Sequence, residues 1–206
     1  MRYICITGGV FAENCYVLID DDAKVAAVID PGCINDKLLR AIAGVKVEQI
    51  LLTHGHFDHT EGADALSALT GAPIAAYKTE AALAADSALN ASNLTFDCSV
   101  TCTVTKLLED GETFRIGSIP VTVMHTPGHT AGGCCYITPE AVFTGDTLMG
   151  YSIGRSDLPT ANEADLMRSL EKLAKLPGDP DICGGHGPVT KLSAEKRLNP
   201  YLQIFN

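Results

Sequence analysis

Five of the six histidines in this 206-residue chain fall in a pattern that leaves a fold little freedom. His54, His56 and His59 lie with Asp58 in the run Thr53-His54-Gly55-His56-Phe57-Asp58-His59. His129 follows in Thr126-Pro127-Gly128-His129, Asp146 in Thr144-Gly145-Asp146, and His186 in Gly184-Gly185-His186-Gly187. Imidazole and carboxylate are donors that zinc, iron and manganese accept. Imidazoles packed this closely repel one another when protonated, so a metal-free protein gains little from them. The donors outnumber those that one tetrahedral ion takes, and the simplest reading is two neighbouring ions. Paired ions activate water, so the pattern points to hydrolysis. Any fold of this chain must therefore bring four distant segments to one place.

Apolar runs alternate with turn signals along the chain. Residues 15–19, 25–29, 47–53 and 73–77 read as strands, and residues 36–43, 61–70 and the Ala-rich 78–89 as helices. The second half repeats this order. Strands are expected at 101–107, 113–116 and 119–124, with a hairpin of 134–137 and 141–144 and a further strand at 181–183. Thr160 and Glu163 have the spacing of a capping box ahead of a helix whose apolar face is Leu166, Leu170, Leu173 and Ala174. A last helix is expected at 194–198, stopped by Pro200. His54, Asp146 and His186 follow strand ends, and His129 sits in a Pro-Gly loop just past one; a rigid sheet can hold chemistry in place there. The expectation is an α/β (α+β) protein: two sheets face to face, helices outside, one domain over 1–206 with similar halves of about 1–100 and 101–206. His125 is read as a support behind a ligand or as merely structural, because Thr126-Pro127-Gly128 breaks any helix that would align it with His129.

Composition narrows the function. The formal net charge is −10, with 15 basic residues against 25 acidic ones, which argues against a nucleic-acid partner. The N-terminus does not read as a signal peptide and no apolar run approaches membrane-spanning length, so a cytoplasmic protein without a membrane partner is expected. The eight cysteines form no Cys-X-X-Cys pair and are expected to be reduced and packed as small hydrophobes.

With these motifs the chain resembles the metallo-β-lactamase superfamily, and within it the small glyoxalase II-like hydrolases. The matching residues are Asp30 in Ile29-Asp30-Pro31-Gly32, the His-X-His-X-Asp-His run at 54–59, and His129 in Thr126-Pro127-Gly128-His129-Thr130. Asp146 in Phe143-Thr144-Gly145-Asp146, His186 in Gly185-His186-Gly187, Gly154-Arg155-Ser156-Asp157 and Asn199-Pro200-Tyr201 complete the set. The resemblance implies a four-layer αββα sandwich of two packed mixed sheets. It implies two divalent ions, zinc before iron or manganese. His54, His56 and His129 would hold one ion, and Asp58, His59 and His186 the other. Asp146 would bridge them, and Asp30 would anchor a ligand imidazole from behind.

The implied reaction is attack of activated water on an acyl carbonyl, with Asp58 orienting the water and taking its proton. A thioester suits such a site because a thiolate departs with little protonation. The expected substrate is a small acyl thioester of the hydroxyacyl-glutathione type, although the helical domain that supplies glutathione contacts in full-length glyoxalase II has no counterpart in this sequence. Arg155 would meet a substrate carboxylate or form a structural salt bridge. The alternatives are a mononuclear-iron persulfide dioxygenase, a hydrolase of another ester, lactone or phosphoester, and a non-catalytic metal scaffold.

Overall fold

The computed structural model describes residues 1–96 and 99–205; Cys98 lies outside the described residues. Alternation along single strands explains the layering. In β2 (Glu13–Asp20) every residue is buried. Tyr16 and Leu18 join one apolar cluster, while Val17 and Ile19 join another on the opposite face. In β10 (Ala141–Gly145), Ala141 and Phe143 face that same shared layer, and Val142 faces away from it. Strands covered on both faces read as near-continuous apolar runs, and these do.

The first sheet runs β1 (Arg2–Gly8), β2, β3 (Val25–Ile29), β4 (Lys46–Leu52), β5 (Ile74–Tyr77) and β6 (Lys106–Leu108), in sequence order. The first three strands pair antiparallel and the rest parallel. The second sheet holds β7 (Thr113–Ile116), β8 (Ile119–His125), β9 (Cys134–Ile137), β10, β11 (Asp181–Gly184) and β12 (Thr190–Lys191), also neighbours in order. Only β10 and β11 are parallel within it. The chain crosses between sheets after Leu108, some residues beyond residue 100.

Three apolar layers hold the four structural layers together. Tyr16, Ile29, Leu51, Val121, Tyr136 and Phe143 fill the space between the sheets. On the outer face of the first sheet, Leu38 of α1 (Asp36–Ala41) and Leu66 of α3 (Ala63–Thr70) pack on Val17, Val28 and Ile50. On the outer face of the second, Leu166, Leu170 and Leu173 of α6 (Glu163–Ala174) pack on Val142 and Ile182. The sandwich expected from the sequence is the structure found.

Several elements differ from the sequence reading, each for a local reason. β1 carries the apolar run Tyr3-Ile4-Cys5-Ile6, which the sequence reading does not place in a strand; only Ile6 of it is buried, and the strand pairs along a single edge of β2. The Ala-rich segment is helical only over α4 (Glu80–Ala84), and a further short helix, α5 (Ser92–Phe96), comes after it. Asp86 then accepts from the Ala88 amide, and the Asn90 amide donates to the Val100 carbonyl, drawing the chain into turns. Residues 101–105 form no strand; the Thr105 hydroxyl bonds the Ile74 backbone instead. Asn162, rather than Thr160, caps α6, accepting from the Asp165 amide, while Thr160 takes a φ of 67°. The C-terminal helix, α7 (Leu192–Leu198), starts two residues early. Pro200 sits at the start of one more turn, α8 (Pro200–Gln203), capped by Asn199. Among the described cysteines none is in a disulfide; 15, 102, 134, 135 and 183 are buried as expected, whereas Cys5 on the edge strand is exposed and Cys33 is half-buried. No helix among the described residues is long and apolar enough to cross a membrane.

Leu170 is fully buried between α6 and the second sheet. Leu170→Ala is expected to cost about 2–5 kcal/mol in chemical denaturation. A loss within experimental error would contradict the packing described.

Candidate metal centre

β4, β8, β10 and β11 deliver their C-terminal ends to one edge of the sandwich. Within the second sheet, β8 and β10 are each antiparallel to β9, and β10 is parallel to β11, so these three run the same way. His54 follows β4 by two residues, and His56 stands at the N-cap of α2 (Phe57–Thr60), which carries Asp58 and His59. His129 comes from the loop after β8, Asp146 directly follows β10, and His186 follows β11. The seam is pinned by bonds between the sheets. The Cys134 amide donates to the Thr53 carbonyl at 2.8 Å, and the Tyr136 hydroxyl to the Leu52 carbonyl at 2.7 Å. The Tyr16 hydroxyl donates to the Gly184 carbonyl at 2.7 Å.

Three triples of donors are close-set: one potential ligand atom from each of His54, His56 and His129 lies within 4.8 Å of the others, and the same holds for Asp58, His59 and His186 and for Asp30, His54 and His59. Asp30 meets its rings from behind, which leaves the first two triples as the candidate ligand groups. Asp146 touches both groups: Oδ2 lies 3.6 Å from His129 Nε2 and 3.6 Å from His186 Nε2, and Oδ1 lies 3.5 Å from His59 Nε2. Asp58 Oδ2 lies 3.5 Å from His186 Nε2 and 3.6 Å from His59 Nε2. All seven residues read from the sequence are thus gathered at one place.

Hydrogen bonds behind the rings fix which nitrogens face the cluster. Asp30, at a φ of 50°, accepts from the Thr53 amide at 2.7 Å, the Thr53 hydroxyl at 2.6 Å and His59 Nδ1 at 3.2 Å. Because the Thr53 hydroxyl proton goes to Asp30, its oxygen accepts from His54 Nδ1 at 3.1 Å. His129 Nδ1 donates to the Arg155 carbonyl at 2.8 Å. The opposite nitrogens of His54 and His59, with Asp146 Oδ1, are buried without a hydrogen-bond partner, and His56 Nδ1 and His129 Nε2 face each other at 2.9 Å. Buried polar atoms are nearly always satisfied, and several orphaned lone pairs at one point fit cations. Glycines permit the crowding: a side chain at Gly185 would collide with Asp146 and His59, and one at Gly154 with Asp146 and His129.

The electrostatics are divided. Burial, reinforced by His59, His129 and His56, holds His54 well below the usual histidine range. Burial and His129 push His56 down to about 3. Burial also disfavours charge on His59, but Asp58, Asp146 and the bond to Asp30 outweigh it and push that ring up to about 10. Burial opposes ionisation of Asp58 as well; His59 and His186 prevail and hold its carboxyl well below the usual carboxylate range.

A cavity of about 340 Å³ opens onto the cluster, walled by Phe11, Phe57, Met149, Ile153 and Leu158. Phe11 and Phe57 meet edge to face, with ring centroids 5.9 Å apart. Arg155 lines the cavity, but its guanidinium is paired with both oxygens of Asp157 at 2.8 and 2.9 Å. His125 stacks on Tyr77 at 4.1 Å and bonds the Ala131 carbonyl, a structural role as read from the sequence. Sequence reasoning missed the apolar walls and the buried Glu80; the run of glycines beside the histidines was the available signal that backbone is gripped there.

Two mixed sheets presenting clustered imidazoles and carboxylates at one edge define a metal-dependent hydrolase type. The chain belongs to the metallo-beta-lactamase superfamily, whose family model matches residues 8–186. It is 34% identical to the probable metallo-hydrolase YqgX of Bacillus subtilis (strain 168), with 100% of each chain covered. It is 33% identical to the hydroxyacylglutathione hydrolase GloC of Haemophilus influenzae, with 93% of each covered. Among solved structures, the BLEG-1 B3 metallo-beta-lactamase superposes with a TM-score of 0.92 at 33% identity, covering 98% of this chain and 99% of that one. TTHA1623, solved in a di-iron-bound form, gives 0.82 at 32% identity, covering 97% and 100%.

A ring held near pH 10 carries a proton at neutral pH and must shed one to serve as a ligand. Metal uptake is therefore expected to release protons and to tighten as pH rises through the neutral range. Calorimetry in buffers of different ionisation enthalpy reads this directly; identical heats in every buffer would contradict it.

Proposed function

We propose that this protein is a dinuclear metallohydrolase of acyl thioesters, glyoxalase II-like in its chemistry. The observation that carries the reading is Asp146, one carboxylate in reach of both ligand groups. His54, His56 and His129 would hold one ion and Asp58, His59 and His186 the other, with Asp146 in reach of both groups. The donor chemistry suits zinc, with iron and manganese accepting the same groups. The di-iron form of TTHA1623 makes iron the chief rival. When bound, such an ion pair polarises a carbonyl and lowers the pKa of water toward neutrality.

The chain's own residues supply the rest. Asp58 is nearly buried and held as a carboxylate, with His59 and His186 on either side. It orients an attacking water and accepts its proton. Asp30 and the Arg155 carbonyl keep the rings of His59 and His129 turned inward. The phenylalanine and aliphatic walls exclude bulk water, which strengthens every charge interaction inside. The walls add no acid for a leaving group, and a thiolate leaves without one. The relationship to GloC supports a hydroxyacyl thioester. Arg155 stands at the cavity as a second contact for a substrate carboxylate, available only by exchange with Asp157.

Purified protein is expected to carry close to two metal equivalents and to release thiol from a hydroxyacyl thioester. Chelation should abolish the activity and metal should restore it. One iron per chain with persulfide-dependent oxygen uptake would replace this reading with a dioxygenase. Asp58→Asn is expected to lower turnover about 10²–10⁴-fold, the usual contribution of a positioned base, while the ion at His54, His56 and His129 stays bound. Full activity in that variant would remove Asp58 from the mechanism.

A further inference from the structure

Glu80 opens α4 beneath the metal cluster and is 1% exposed. Among the described residues no lysine or arginine pairs with it. Its two oxygens go to two different loops. Oε2 accepts from the Gly55 amide at 2.7 Å, and Oε1 from the Gly132 amide at 2.7 Å. Gly55 lies between His54 and His56. Gly132 lies three residues after His129. All three imidazoles of one ligand group therefore hang from segments held by this single carboxylate, one following the first sheet and one following the second.

The glycines show how close the grip is. A side chain at Gly55 would press on Leu83 and the Ala84 amide, at 2.8 and 2.9 Å. One at Gly132 would collide with Thr79 and press on Glu80 Oε1 at 2.8 Å. Burying a carboxylate without a cation is costly, and an apolar residue would serve packing alone at less expense. What an apolar residue cannot do is accept from two amides at once.

We propose that Glu80 is a positioning residue for the His54, His56 and His129 group, clamping both of its loops at the separation an ion needs. It touches neither ion nor substrate. The inference rests on those three histidines being ligands of one ion, and the test separates the two claims. Glutamine keeps the shape of Glu80 but offers one carbonyl oxygen, and its amide would face the other backbone N–H donor to donor.

The test is cobalt titration of metal-free protein, followed by visible absorption and chelator competition, in two single-group backgrounds. In His186→Ala the His54, His56 and His129 group is isolated. There, Glu80→Gln is expected to weaken cobalt binding about 10–100-fold, the usual cost of removing a residue that orients ligands. In His129→Ala, where Asp58, His59 and His186 remain, the same change should leave affinity unaltered. Equal losses in both backgrounds, or none in the first, would overturn the proposal. Should His186→Ala bind no cobalt with Glu80 intact, the ligand assignment itself fails. Gly132→Ala disturbs the clamp from the backbone side and keeps Glu80; it should weaken the isolated group in the same direction. If Glu80→Gln does not fold, that variant decides, and unaltered affinity in it would overturn the proposal.

Discussion

Five imidazoles and two carboxylates share one small volume at the seam between two sheets, and the rest of the architecture answers to that crowding. Without a cation their charge states conflict: His54 and His56 are driven neutral, while His59 is driven toward the imidazolium by the carboxylates beside it. Several of their inward-facing atoms find no hydrogen-bond partner. Such a cluster is costly to the metal-free fold and becomes favourable when cations accept the lone pairs. The apolar layers on either side of each sheet provide the stability that allows this cost to be carried.

The candidate ligands are set by a network one bond further out. Asp30 holds the end of β4 through Thr53 and turns His59, and through the Thr53 hydroxyl it also turns His54. Glu80 grips the flanks of His54, His56 and His129 from below. Both acids are buried, and neither is paired with a lysine or arginine among the described residues. The Thr53 amide and hydroxyl and the His59 ring hold Asp30, and the Gly55 and Gly132 amides hold Glu80, so each acid is also a constraint on backbone position. Local precision at the centre thus comes from carboxylates that lie behind it.

Much of this was legible in residue order. The apolar runs located most strands, because strands covered on both faces must be apolar throughout. The histidine motifs identified every residue of the cluster, since these residue types at this spacing have few other uses. The misreadings have separate local causes. The Ala-rich segment after β5 has good helix propensity, yet Asp86 and Asn90 bond backbone elsewhere and stop it after one turn. Thr160 and Glu163 match a capping box, yet Asn162 is the residue with free access to the helix amides.

The sequence by itself determined the donor set, the layered alternation of strands and helices, and the placement of chemistry at strand ends. These follow from side-chain type and from period, which are local properties. Only the tertiary structure decided how close Asp146 comes to both ligand groups and that one buried glutamate ties two loops together. Those facts depend on distances between segments far apart in the chain, and such distances are fixed by sheet packing rather than by any local signal.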